Sequence, residues 1–397
     1  MSYGCPVSTR APSHSAVASE TGRRNRHTSL DGLRGLAALV VVAHHALLTQ
    51  PSLAAPYYAP DVPTTGLTRW AVNTPVHLFW AGTEAVYLFF VLSGFVLGLA
   101  AQSATFTWRT YLPARLVRLY LPVAGAVALG ALLMAVLPRG SQASAWLAAR
   151  AVDYPALAVV QDLTLLGGVS KVISPLWSLQ WEVVFSLFLA GFLSWGRSVH
   201  PAGQIGVALV ASTWGFYLAT PALSYLPLFL VGTALAQWWP DLASRLEEGA
   251  RAHVRWGVIL AFALTLIASY WLLLPSFSSD RLFWMTRPAV EIGVTLVLVA
   301  AATWAPLRWL LSAKPFRWAG LISFSLYLVH EPILIAAASL VPGSRWAIVG
   351  GVLVAVATAV GFFFLVEKPS HKIARLLGGR RVDGPTESRA SVAASHD

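Results

Sequence analysis

The stretch that decides the fold is Leu30–Leu48, LDGLRGLAALVVVAHHALL. It is apolar enough and long enough to cross a bilayer as a helix, with an arginine near its start and two histidines deep inside. On a helix, Arg34 and His45 are separated by roughly 16 Å along the axis and lie within about 20° of each other around it. Both therefore face one side. A cation near the membrane surface and an imidazole deeper down suit a ligand with a charged head and a reactive end. Ionisable groups at such depth are costly in lipid and their default reading is functional. The competing reading has Arg34 snorkelling to lipid phosphate and His45 bonding a neighbouring helix.

Outward from that stretch the pattern repeats. The chain has 397 residues, 56% hydrophobic and 11% charged, and a mean hydropathy of +0.64. Apolar runs of near-membrane length recur from end to end, which excludes an ordinary soluble enzyme and predicts an all-α, polytopic membrane protein. About ten spans are expected. After the first come approximately 76–100, 119–137, 175–195, 204–218, 223–239, 256–274, 288–305, 319–340 and 346–366. The division that follows is a disordered cytoplasmic tail over 1–29, a membrane domain over 30–369 and a second cytoplasmic tail over 370–397.

The net charge of +11 does not point to nucleic acid, because it is distributed as the positive-inside rule requires. With the N-terminus inside, the outside loops hold only Arg69, Arg139, Arg150, Lys171, Arg281, Arg287 and Arg345. The remaining loop and C-terminal cations fall inside, so both termini are expected in the cytoplasm. The single cysteine, Cys5, lies in a polar tail. That leaves no disulfide framework and no thiol nucleophile in the core, and no ligand spacing calls for a metal.

Depth along each span brings polar residues to one level. His45, Glu84, Glu182, His330 and Glu331 all fall at or beyond the midplane, toward the outside, with Glu182 roughly 10 Å below the outer surface. A shared polar cavity explains such a set better than isolated helix-gluing contacts. At the cytoplasmic side, Arg115 and Arg118 share one face of a helical turn, as phosphate oxygens require of paired guanidinium forks.

These segments resemble the membrane-bound acyltransferase-3 family. The pieces stand in family order: SLDGLRGLAALVVVAHH with Arg34 and His45, GTEAVYLFFVLSGFVL, RLVRLYLP with Arg115 and Arg118, LWSLQWEVVFSLF, LPLFLVGTALA, ISFSLYLVHEP with His330 and Glu331, and VEKP. The resemblance implies an O-acyltransferase of the bacterial cell membrane, with acyl-CoA, usually acetyl-CoA, entering as donor substrate from the cytoplasm and no permanently bound cofactor. The acceptor would be a hydroxyl on a sugar, a glycan or a secondary metabolite. It makes Arg34, Arg115 and Arg118 donor-binding residues and His45 catalytic, and it maps the family's WSL-x-x-E element onto Trp177, Ser178 and Glu182. Many relatives carry a tyrosine where Ser186 stands, so a hydroxyl contact differs there. The likeness is to the form without an appended extracytoplasmic esterase-like domain.

In chemical terms, a neutral imidazole could take the acceptor proton, from His45 or from His330. Glu182 could orient that imidazole. Ser178, Tyr327 and Trp177 are candidate oxyanion donors, and Glu84 and Glu331 candidate orienting groups. The competing function is a transporter or flippase, which would also line a path with buried charge.

Overall fold

In the computed structural model, residues 14–137, 139, 143–246, 250–277 and 279–378 are described, and among them every regular element is helical. The first helix, α1, runs His14–Leu48. Then come α2 (Gly82–Ala101), α3 (Trp108–Val136), α4 (Leu176–Gly196), α5 (Pro201–Tyr217) and α6 (Pro221–Arg245). They are followed by α7 (Ala250–Leu273), α8 (Arg287–Thr303), α9 (Lys314–Leu340) and α10 (Arg345–Phe362). Short helices fill the connections at the His45 end: Pro51–Tyr58, Gly66–Val72, Ala145–Ala148 and Ala156–Thr164.

Among the described residues, eight helical stretches are long and apolar enough to cross a membrane. They include Thr28–Leu48 of α1, all of α2, α3, α4 and α9, Ala252–Ser276, Arg281–Thr303 and Arg345–Leu377. The difference from the expected ten lies in α5 and α6. With 17 residues, α5 rises about 26 Å, short of the roughly 30 Å hydrocarbon core. The 25 residues of α6 end in the polar run around Gln237 and Asp241, which dilutes its hydropathy. Its middle, Leu228 to Ala236, is nonetheless buried throughout, as a helix apolar on all sides must be.

The expected tails also differ from the structure. Residues 1–13 lie outside the described residues, while 14–29 continue α1 as helix. At the other end, Lys368–Leu377 is a helix packed on α3, with Ser370 and Ala374 buried beneath it. Its apolar residues recur at helical spacing, which gives it a face to bury beyond the boundary expected at 369. Residues 379–397 lie outside the described residues.

Two close crossings set the bundle. A Cβ on Gly35 would stand 2.4 Å from the backbone nitrogen of Gly320, so α1 and α9 touch backbone to backbone. A Cβ on Gly94 would meet the Phe229 carbonyl at 2.2 Å, and one on Gly232 the Val91 carbonyl at 2.1 Å, which joins α2 to α6 in the same way. Dispersion and close backbone approach drive helix association where lipid removes the hydrophobic contribution. The first crossing places α9 along the Arg34–His45 stripe of α1. Between α10 and the last helix, Phe363–Glu367 forms a π-helical turn that aims Glu367 inward.

Candidate active site

The α1, α2, α3, α4 and α9 helices enclose a cavity of about 920 Å³ that opens at the Arg34 end of the bundle. Arg34, Arg115, Arg118, Lys314 and Arg317 line it, against the carboxylates Asp31, Glu182 and Glu367. Deeper in, the wall becomes apolar with Phe89, Phe90, Leu179 and Phe324, and Ser178 and Tyr327 line it as well. From Lys314 to Tyr327 the α9 helix rises about 20 Å, so the space is long and graded from cationic to apolar. Arg34, Arg115 and Arg118 therefore line one cavity.

Arg115 does not stand alone in it. Its Nη2 is ion-paired with Glu182 and lies 3.4 Å from the Ser93 hydroxyl, while its Nε donates to Ser186 at 3.3 Å. Ser93 also donates to Glu182 at 3.1 Å. So Ser186 does make hydroxyl contacts: it accepts from the guanidinium and donates to the Glu182 carbonyl at 2.7 Å. The pairing expected between Glu182 and an imidazole is not made. A guanidinium has five donors, so this arrangement still leaves N–H groups to face a ligand.

Beyond Tyr327 lies the imidazole pair. The Tyr327 and His330 ring centroids are 6.1 Å apart, and the Tyr327 hydroxyl is 2.6 Å from that of Ser178. His45 Nδ1 lies 2.8 Å from His330 Nε2. The ring planes differ by 9° with centroids 5.0 Å apart, so the rings meet edge to edge, in the plane of a good hydrogen bond. The tautomers follow from the other end of the chain. His330 Nδ1 is 2.9 Å from the Leu326 carbonyl, which can only accept, so Nδ1 carries the proton. Neutral His330 then accepts at Nε2, and His45 must donate from Nδ1. The lone pair of His45 is left on Nε2, which no described residue hydrogen-bonds. His45 is partly exposed, whereas His330 is completely buried.

The remaining predicted residues separate. Glu331 is completely buried and is held by Arg150 Nη1 at 2.8 Å and by the Ser174 backbone N–H and hydroxyl, both at 2.5 Å. His44 faces away, with Nδ1 2.9 Å from the Trp80 carbonyl. Trp177 packs edge-on against Phe90 and beside Tyr225. Glu84 is buried on α2 within electrostatic reach of the buried Arg287, away from the pair. Sequence reasoning missed Ser93, Lys314, Arg317, Trp146, Arg150 and Ser174. The two α9 cations carried a legible signal, since they start the helix that carries His330. The loop residues carried none, because irregular chain has no period to read.

A sequence profile of the acyltransferase-3 family, described as an acyltransferase domain, matches residues 27–366. The chain belongs to this family. The chain is also similar to the peptidoglycan O-acetyltransferase OatA of Listeria monocytogenes, 25% identical over 189 residues that span 42% of this chain and 29% of that protein. It thus matches less than a third of that relative's length. No solved structure matches. In this family member the cationic cavity and the histidine pair lie in sequence along α1 and α9, which touch backbone to backbone.

Proposed function

We propose that this acyltransferase takes an acyl group, acetyl in the simplest case, from acyl-CoA in the cytoplasm and places it on a sugar hydroxyl. The observation that carries the reading is the cavity: it is lined by cations and by apolar side chains as far as Tyr327, whose ring centroid is 6.1 Å from that of His330 in the histidine pair just outside the lining. Arg34, Arg115, Arg118, Lys314 and Arg317 would hold the nucleotide phosphates by charge-assisted hydrogen bonds. A long thin arm would follow the apolar wall and carry the thioester past Tyr327 toward His45. With both termini in the cytoplasm the mouth would open on the donor's side, and the distribution of basic loops supports that orientation.

The chemistry is direct transfer. As the acceptor oxygen attacks the thioester carbonyl, its proton passes to His45 Nε2. His330 holds the Nδ1–H of the resulting imidazolium, as the third member of a triad does. The Tyr327 and Ser178 hydroxyls, which bond each other and the Pro175 carbonyl, would turn a proton from that carbonyl toward the tetrahedral oxyanion. Collapse breaks the carbon–sulfur bond, and His45 returns its proton to the thiolate, so free CoA and the ester leave with no net proton change. The likeness to a peptidoglycan O-acetyltransferase supports a cell-wall sugar as acceptor.

Purified protein in nanodiscs, given labelled acetyl-CoA and soluble peptidoglycan fragments, tests the reading. Ester formation with release of CoA is expected. Movement of the sugar across the bilayer with no consumption of acetyl-CoA would instead make the protein a transporter.

A further inference from the structure

A hydrogen bond between two rings fixes a line but leaves rotation about that line free. His45 is therefore not fully positioned by His330 alone. The missing constraint comes from the connection between α3 and α4. There Trp146 packs beside the His45 ring and nearly parallel to it, with centroids 5.5 Å apart and planes at 24°. The short helix Ala145–Ala148 that carries it starts at Ser144, whose hydroxyl accepts from Leu147 N–H at 3.2 Å and donates to the Leu48 carbonyl at 2.8 Å. That second bond ties the helix to the end of α1, three residues past His45.

Trp146 is held in turn. The Arg150 guanidinium carbon stands 4.7 Å from the indole centroid, and Arg150 Nε donates to the Trp146 carbonyl at 3.2 Å. Arg150 then reaches Glu331, which immediately follows His330 on α9. The contacts close a circuit: His45 to Trp146, Trp146 to Arg150, Arg150 to Glu331, and Glu331 through one peptide bond to His330, which returns to His45. Ser174, at the far end of the same connection, also binds Glu331. An ion pair with side chains 12% and 0% exposed is an expensive way merely to tie a loop, since apolar packing would serve as well or better. Its geometry makes sense when the object held is a ring that must keep one plane.

We propose that Trp146 and Arg150 are positioning residues for acyl transfer, which hold the His45 imidazole coplanar with His330 so that its Nε2 stays aimed at the acceptor. Trp146 supplies the flat wall. Arg150, by a cation–π contact pinned at Glu331, keeps that wall from swinging away. This rests on the functional reading given above.

The test uses the full-length protein with acetyl-CoA as donor and soluble peptidoglycan fragments as acceptor, water serving as the fallback acceptor. Trp146→Ala should lower kcat by about 10²-fold, the scale on which small misplacements of a catalytic group act, with acetyl-CoA affinity unchanged. Trp146→Phe, which restores a flat face, should recover most of the loss, and Arg150→Lys should recover more than Arg150→Gln. Nitrogen-15 NMR of labelled histidine should show one Nδ1–H tautomer for His45 in the native protein and a mixture in Trp146→Ala. An unchanged tautomer with unchanged kcat in a folded Trp146→Ala protein overturns the inference while leaving the acyltransferase reading intact. A rise in acceptor KM alone would make Trp146 a substrate contact instead. Full turnover in His45→Ala, or none in the native protein even with water, would bring down the functional reading itself.

Discussion

Arg115 and Glu182 offer the sharpest test of how the donor is held, because at rest they hold each other. Both side chains are about one-fifth exposed, to the cavity. Replacing Arg115 with alanine removes a charge-assisted contact to phosphate, worth on the order of 1.5–3 kcal/mol, which is roughly 10- to 100-fold in donor affinity. Glu182→Gln should act in the opposite direction. The cavity carries five lysines and arginines against three carboxylates, and the substitution removes one negative charge that competes with phosphate for the same fork. Acetyl-CoA should bind more tightly, with an advantage that shrinks as salt rises. The single variant Arg115→Ala also leaves a carboxylate facing only Ser93, so it should lose thermal stability that Arg115→Ala/Glu182→Gln regains, while donor affinity stays low in both. The assay is equilibrium binding of acetyl-CoA in nanodiscs at low and high salt, run beside thermal unfolding. Weaker binding in Glu182→Gln, comparable to that in Arg115→Ala, would refute the reasoning and make Glu182 itself a donor contact.

The other predictions concern the pair, the packing and the topology. His330→Gln, whose amide oxygen can accept from His45 Nδ1–H, should keep more turnover than His330→Ala, for which a fall of about 10²–10⁴-fold is expected with donor binding retained; equal activity in both, measured by release of CoA, would remove His330 from the mechanism. Gly94→Leu forces a side chain against the Phe229 carbonyl and should lower the unfolding temperature and the yield of folded protein, whereas Gly191→Leu, at a position with open space around it, should not. A periplasmically active reporter fused after Arg381 should stay silent if both termini are cytoplasmic; activity there would invert the cavity and deny it the cytoplasmic donor.

Most of the helices were legible because a bilayer imposes a length and a composition that a sequence displays openly. The stripe joining Arg34 to His45 was legible too, since it needs only the pitch of one helix. Contacts between helices were not. Counting residues gives the height of Glu182 but not its direction around the axis, and the structure turns it toward Arg115 and Ser93 rather than toward the histidines. The meeting of His45 with His330 was only compatible with their depths; it required the backbone contact of Gly35 with Gly320 to bring α9 against α1. The α5 and α6 helices were read as two plain spans because the joining proline turn is clear, yet α5 is short and the end of α6 is polar. Trp146 and Arg150 were passed over because nothing in an irregular connection announces which side chains return to the core.

The central claim is that His45, with its lone pair on Nε2, is the base that passes an acyl group from acyl-CoA to a hydroxyl. It is tested most directly by a single-turnover measurement with labelled acetyl-CoA bound to purified His45→Ala protein. The account predicts donor binding close to that of the native protein and transfer slowed by roughly 10²–10⁴-fold. Transfer at the native rate from that variant would contradict it.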